Sequence, residues 1–189
     1  MTVTDHLRDD SELTRFWEVA RGHAGIDRLG VVVGSSPLGA VPPPAWSFGD
    51  SQRLADELLG LVLQGRKTAT TTALWEFEAG QEERPSVGDL SILLDGAGRP
   101  RALIRTTVVR VVPFCDVDAE YAAAEGEDDL SLESWRREHE KYWRRLAQAR
   151  GGQPFSQDLP LLLEEFELLY QQPAIPEDEM QVPMRETDR

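Results

Sequence analysis

The feature that most constrains the fold is a pair of strand-like segments, SVGDLSILLD (residues 86–95) and RALIRTTVVRVVPF (101–114), joined across DGAG. Aliphatic and β-branched runs of this kind suit a pleated, half-buried surface, and an Asp-Gly turn between them signals an antiparallel hairpin. Two further segments have the same character. KTATTTALW (67–75) is rich in β-branched residues, and EEFELLYQ (164–171) alternates Phe166, Leu168 and Tyr170 with Glu165, Glu167 and Leu169. Strands interrupted by single helices, without regular βαβ alternation, predict an α+β fold: a small antiparallel or mixed β-barrel with helices at its rim. A doubly wound α/β unit is excluded.

The helices are read from period and punctuation. Ser11 is placed to cap an N-terminal helix with Leu13, Phe16, Trp17 and Ala20 on one face, preceded by a frayed polar stretch. Asp50 or Ser51 caps a second, with Leu54, Leu58, Leu61 and Val62 as its buried stripe and Gly65 as its stop. Ser131 caps a third, carrying Leu132, Trp135, His139, Tyr142, Trp143 and Leu146 on one face and ended by Gly151 and Gly152. The organisation that follows is a helical extension over residues 1–29, a Pro/Gly-rich connector over 30–45, a main domain over 46–172, and an acidic, disordered tail over 173–189.

Charge narrows the partners. Against 34 Asp and Glu stand only 20 Lys and Arg, a net charge of −14 on 189 residues. Such a field repels phosphodiester polymers, whose non-specific binding rests on counterion release by Lys and Arg. The single cysteine, Cys115, excludes an internal disulfide and a thiolate-rich metal site. The charged N-terminus has no signal-peptide core and no window is apolar enough for a membrane span. A soluble, cytoplasmic protein with no membrane partner and no disulfide partner is expected.

GLVLQGRKT (60–68) nearly spells a phosphate-binding loop, but Arg66 separates Gly65 from Lys67, and the segment ends a helix where that loop would open one. Without that template, Arg66, Lys67, Thr68, Thr70, Thr71 and Thr72 place two cations and four hydroxyls at a helix-to-strand junction. One reading is a solvated helix end followed by a Thr-rich edge strand. The other is a catalytic constellation, in which a desolvated, partly neutral Lys67 takes a hydroxyl proton and a carboxylate such as Glu125 orients it. Lys67 and Thr70 are three apart, so a regular strand sends them to opposite faces, and a turn or bulge is needed to bring both to one pocket. No histidine among His6, His23 and His139 has a partner at metal-ligand spacing, so no metal and no cofactor is expected. His139 and the Trp residues of its helix read first as core.

With AWSFGDS, LADELLGLVLQGRKTAT, LWEFE, VGDLSILLDGAGRP, VVPFCDVDAEYAAAEGE, SLESWRREHEKYW and EEFELLY on the page, the chain resembles the ASCH-domain family, from about Trp46 to Tyr170. That resemblance implies a small β-barrel related to the PUA RNA-binding modules. In one branch, small enzymes remove the acetyl group of 4-acetylcytidine with a Lys, a Thr and a Glu. By similarity these fall on Lys67, Thr70 and Glu125, with Glu127 two residues from the last. The resemblance implies a metal-free amidohydrolase acting on a modified nucleoside or related small amide, with Arg66, Trp75, Arg136 and His139 as candidate substrate-binding groups. It equally allows an RNA-binding module, with or without ribonuclease activity, and residues 65–110 hold seven cations and six acids to serve one. A non-catalytic pocket protein that senses a nucleotide-like ligand is a third reading.

Overall fold

The computed structural model describes residues 3–26, 41–80, 83–150 and 152–173. The expected connector falls largely, and the expected acidic tail almost wholly, outside them. Helix α1 spans Val3–His23, β1 Ala45–Trp46, α2 Gln52–Leu63, β2 Ala69–Ala73 and α3 Leu74–Gly80. Then come β3 Leu90–Leu94, β4 Pro100–Pro113, a 3₁₀ turn Phe114–Asp116, α4 Ala119–Ala124, α5 Leu132–Arg150 and β5 Pro160–Gln171.

The strands form one five-stranded sheet in the order β1-β3-β4-β5-β2. Only the β1–β3 pair is parallel, and the hairpin read from DGAG is the β3–β4 pair, with Leu90 opposite Arg105. The sheet does not close into the expected barrel. Strand β1 is two residues long and offers too few backbone groups for a second ladder. The chain leaves it at Ser47 for helix α2, so β1 and β2 remain open edges.

Period-2 alternation distributes the core. Ile92 and Leu103 face α1, where Phe16, Trp17 and Ala20 are buried against them, so the N-terminal helix packs on the sheet. It begins at Val3 and runs through Ser11, which is therefore not its cap. Leu93, Ala102 and Ile104 turn the other way, toward Leu59 and Val62 of α2. The buried stripe of α2 is Ala55, Leu59 and Val62, one step round from the expected one.

Three local devices set the chain around the site. Ser51 accepts a hydrogen bond from Leu54 N at 3.3 Å and caps α2. At the other end Gly65 takes φ +70°, with Arg66 N–H donating to Leu61 O and Gly65 N–H to Val62 O, the pairing of a Schellman cap. This turn delivers Lys67 to the start of β2. Ser131 Oγ accepts from Ser134 N at 3.1 Å and starts α5, whose Trp135, Trp143 and Leu146 are buried with Phe114, Tyr121 and the β2–β5 pair. The run expected to remain strand through Trp75 breaks at Leu74, where α3 begins.

Candidate active site

Where the two open edges of the sheet face each other, Trp46, Ser47 and Phe48 from one side and Thr70, Thr71 and Thr72 from the other line a cavity of about 600 Å³. Helix α2 adds Leu54 and Leu58, α5 adds His139, Tyr142 and Arg145, and the loop after α4 adds Glu125 and Glu127. The volume suits a ligand of nucleoside size. Arg145 reaches across to Asp50 at 2.6 Å, so α5 is clasped to the loop after β1.

Lys67 lies against this cavity with its side chain only 1% exposed. An ammonium has three N–H donors, and here each has an acceptor: Glu127 Oε1 at 2.6 Å, Glu125 Oε2 at 3.2 Å and Glu125 O at 3.4 Å. The Phe48 ring sits 5.3 Å from Nζ, adding a cation–π contact. Burial works against the charge, but the two carboxylates outweigh it and hold the pKa above the ordinary lysine value. The partly neutral amine expected from the sequence is therefore not found. Glu125 first and then Glu127 favour the ammonium form of Lys67.

Glu125 is held on all sides. Its Oε1 accepts from Thr71 Oγ1 and from Trp135 Nε1 at 2.8 Å, and its Oε2 faces Lys67 and, at 3.6 Å, His139 Nε2. Burial raises its pKa, and Lys67, then His139, then the hydrogen bonds reverse that and keep it well below the ordinary carboxylate range. The backbone explains the placement. Glu125 is the C-cap of α4, Thr68 N donates to Ala124 O at 2.8 Å, and Gly126 at φ +73° lies against the Arg66–Lys67 peptide. The loop carrying the carboxylate is thus docked on the turn carrying the amine.

Lys67 and Glu125 are therefore brought together, and Thr70 lines the same cavity, but the hydroxyl bonded to Glu125 is that of Thr71. Parity accounts for it: Thr71 is four residues from Lys67 and shares its side of an extended chain, whereas Thr70 does not. The carbonyl of Thr70 instead accepts from Tyr121 Oη at 2.6 Å. The phenol of Tyr121 is kept from ionising by burial, then by Glu125.

Of the four candidate binding groups, His139 lines the cavity and the other three do not. Arg66 is exposed, and only its backbone meets the site, at Gly126. Trp75 is buried in the core among Phe114, Trp143 and Leu161. Arg136 donates to Cys115 O at 2.9 Å and Val117 O at 3.3 Å, fixing α5 to the 3₁₀ turn. Sequence reading did not place Phe48 or Tyr142 at the cavity, and it read Trp135 only as core or as a stacking platform. In the structure the Trp135 ring is core and its Nε1–H is a ligand of Glu125.

The family model of the ASCH domain matches residues 44–170, which contain every one of these cavity residues. The chain belongs to the ASCH-domain family. The ASCH domain is a PUA-like module of the RNA-binding and hydrolase-type class. Among solved structures, a protein from Enterococcus faecalis V583 is similar at 27% identity and TM-score 0.67, over 95% of this chain and 99% of that one. An ASCH domain from Lactobacillus crispatus JV V101 is similar at 25% identity and TM-score 0.64, over 79% of this chain and 96% of that one. No curated protein matches the chain. The sheet, its α1 layer and the cavity are thus features of an ASCH protein.

Proposed function

We propose that this ASCH protein is a hydrolase that cleaves the amide bond of an acylated nucleoside or a related small amide. The observation that carries the reading is the buried Lys67–Glu125 pair beside a hydroxyl donor, at the wall of a nucleoside-sized cavity. A permanent ammonium in a water-poor site is suited to an oxyanion, the charge that develops when an oxygen nucleophile adds to an amide carbonyl. Glu125 is the group positioned to receive the nucleophile's proton, whether that oxygen is the Thr71 hydroxyl or a water in its place. At rest Glu125 is a weak base, because Lys67 and His139 stabilise its charge. As the oxyanion forms and draws on Lys67, that stabilisation is shared and the carboxylate becomes more basic. Thr70 borders the same cavity.

Four of the arginines that an RNA groove would need are already occupied, and Lys67 is buried. Arg105 pairs with Glu167, Arg99 and Arg101 with Asp95, and Arg110 with Asp118. A neutral nucleoside is indifferent to the −14 field that opposes a polyanion. The test is hydrolysis of a panel of N-acylated nucleosides, 4-acetylcytidine included, with the released acid and amine both quantified. Stoichiometric release from at least one member is expected. Absence of turnover across the panel would contradict the reading.

A further inference from the structure

We propose that His139 is the proton donor of this site, delivering a proton from Nε2 to the departing amine nitrogen; the inference rests on the amide-hydrolase reading above. Three observations carry it.

The first is the direction of its hydrogen bonds. His139 Nδ1 lies 3.0 Å from Trp135 O. A backbone carbonyl only accepts, so Nδ1 carries a hydrogen. The opposite nitrogen, Nε2, lies 3.6 Å from Glu125 Oε2. A neutral ring with its hydrogen on Nδ1 would turn a lone pair toward a carboxylate, whereas an imidazolium turns an N–H toward it.

The second is charge balance in a space that excludes water. The groups acting most strongly on the ring are Glu125, Glu127 and Lys67, from the loop after α4 and the turn before β2, and Asp128 and Glu138, which line a small pocket with it, add further negative charge. Two carboxylates against one ammonium leave a net negative charge, and a protonated His139 cancels it. Burial opposes that proton, and Glu125 followed by Glu127 outweigh it, so the ring holds its proton above the ordinary histidine range.

The third is access. The ring is stacked on Trp135 at 4.1 Å and 18°, which fixes its plane, yet it lines the cavity with 15% of its side chain exposed. It is rigid and reachable from the substrate side.

The proton inventory closes. The nucleophilic oxygen forms a bond to the carbonyl carbon and passes its proton to Glu125. The C–N bond breaks as His139 Nε2–H protonates the nitrogen, leaving neutral imidazole. Glu125 then gives up the proton it received at Oε1 and Nε2 regains one, relayed by the water that enters as the products leave, which restores the resting pair. With water as nucleophile one turnover yields acid and amine; with the Thr71 hydroxyl, an acyl ester forms first and a water repeats the sequence on it, its proton passing to Glu125 while His139 Nε2–H protonates the departing threonine oxygen. No oxidant or further reactant is required.

The deciding experiment compares an N-acyl nucleoside with a nitrophenyl acetate ester in wild type, His139→Gln and His139→Ala. The ester's leaving group departs without protonation, so the ratio of amide to ester cleavage, each read as first-turnover release of its leaving group so that hydrolysis of an acyl-threonine does not enter, should fall about a hundredfold in both variants. Equal losses on both compounds would mean that His139 only shapes the pocket and would overturn the proposal, as would an unchanged ratio. Imidazole ¹⁵N spectra of the wild type supply a readout independent of turnover. Both ring nitrogens are expected to be protonated at neutral pH and to lose a proton at lower pH in Glu125→Gln. A neutral ring at neutral pH overturns the proposal even if the amide is hydrolysed. Protonated nitrogens in a protein that hydrolyses the ester but no amide would instead sink the amide-hydrolase reading and the donor role built on it, while leaving the charge assignment standing.

Discussion

A Cβ on Gly126 would sit 2.4 Å from the carbonyl oxygen of Arg66, so the loop that carries Glu125 reaches Lys67 only because residue 126 has no side chain. Gly126 also adopts φ +73°, where an L-residue costs about 1–2 kcal/mol before any clash is counted. Gly126→Ala is expected to lower stability by about 2 kcal/mol or more in denaturant unfolding and to displace Glu125. Turnover should fall more steeply than stability alone explains. A variant as stable and active as wild type would show that the close approach is not needed.

The charged cluster has a defined pH signature. Glu125 is depressed below its ordinary value of 4.5, so its stabilisation is complete above that value and is lost as pH falls through the folded pKa. Lys67 is raised above 10.5, so its contribution is complete below that value and lost as pH rises through the folded pKa. His139, raised above 6.5, behaves like Lys67 at a lower pH. At neutral pH, Lys67→Met leaves the buried Glu125 and the half-buried Glu127 without their ammonium and should cost about 3–5 kcal/mol. Adding Glu125→Gln to Lys67→Met should recover part of that loss. Unfolding curves of the single and double variants across pH test this, and an additive double variant would contradict it.

Thr71 and Thr70 are distinguishable. Thr71→Val removes the hydroxyl proton given to Glu125 and is expected to reduce amide turnover about a hundredfold, the lower range of a lost proton-transfer contact. Thr70→Val removes a cavity hydroxyl and should act mainly on KM. Steady-state kinetics of the two variants decide it, and the reverse pattern would move the nucleophile's partner to Thr70.

RNA should bind poorly. With Arg99, Arg101, Arg105 and Arg110 paired and its net charge at −14, the protein is expected to hold single-stranded RNA no tighter than about 10⁻⁴ M at physiological salt. Titration at several salt concentrations would show this, and tight, strongly salt-dependent binding would contradict it.

Much of this was legible in the chain. The DGAG hairpin, the Ser51 and Ser131 caps, the Gly65 stop and the junction at Lys67 all depend on contacts between residues near in sequence, where pattern and chemistry speak directly. Lys67 and Glu125 came through the family resemblance, since a separation of 58 positions gives no spacing signal. The parity of β2 already pointed past Thr70, because Lys67 and Thr71 share a side of an extended chain. What was illegible is long-range. A two-residue β1 that cannot close a barrel has no sequence signature, nor does a Trp135 ring buried as core whose N–H serves the site. Arg66, Trp75 and Arg136 had the right chemistry beside the right motifs, but the fold spends them on a turn, the core and a helix tether. The contribution of Glu127 to the ammonium form of Lys67, added to the larger one of Glu125, rests on a distance to Nζ that only the folded loop reveals.

The most direct measurement is kcat/KM for the best N-acyl nucleoside with wild type and Lys67→Ala, the latter checked for a native fold by circular dichroism and cooperative unfolding. Loss of the oxyanion's ammonium should reduce kcat/KM by about 10²–10³-fold, chiefly through kcat. A folded Lys67→Ala protein that hydrolyses the amide at the wild-type rate would contradict the account.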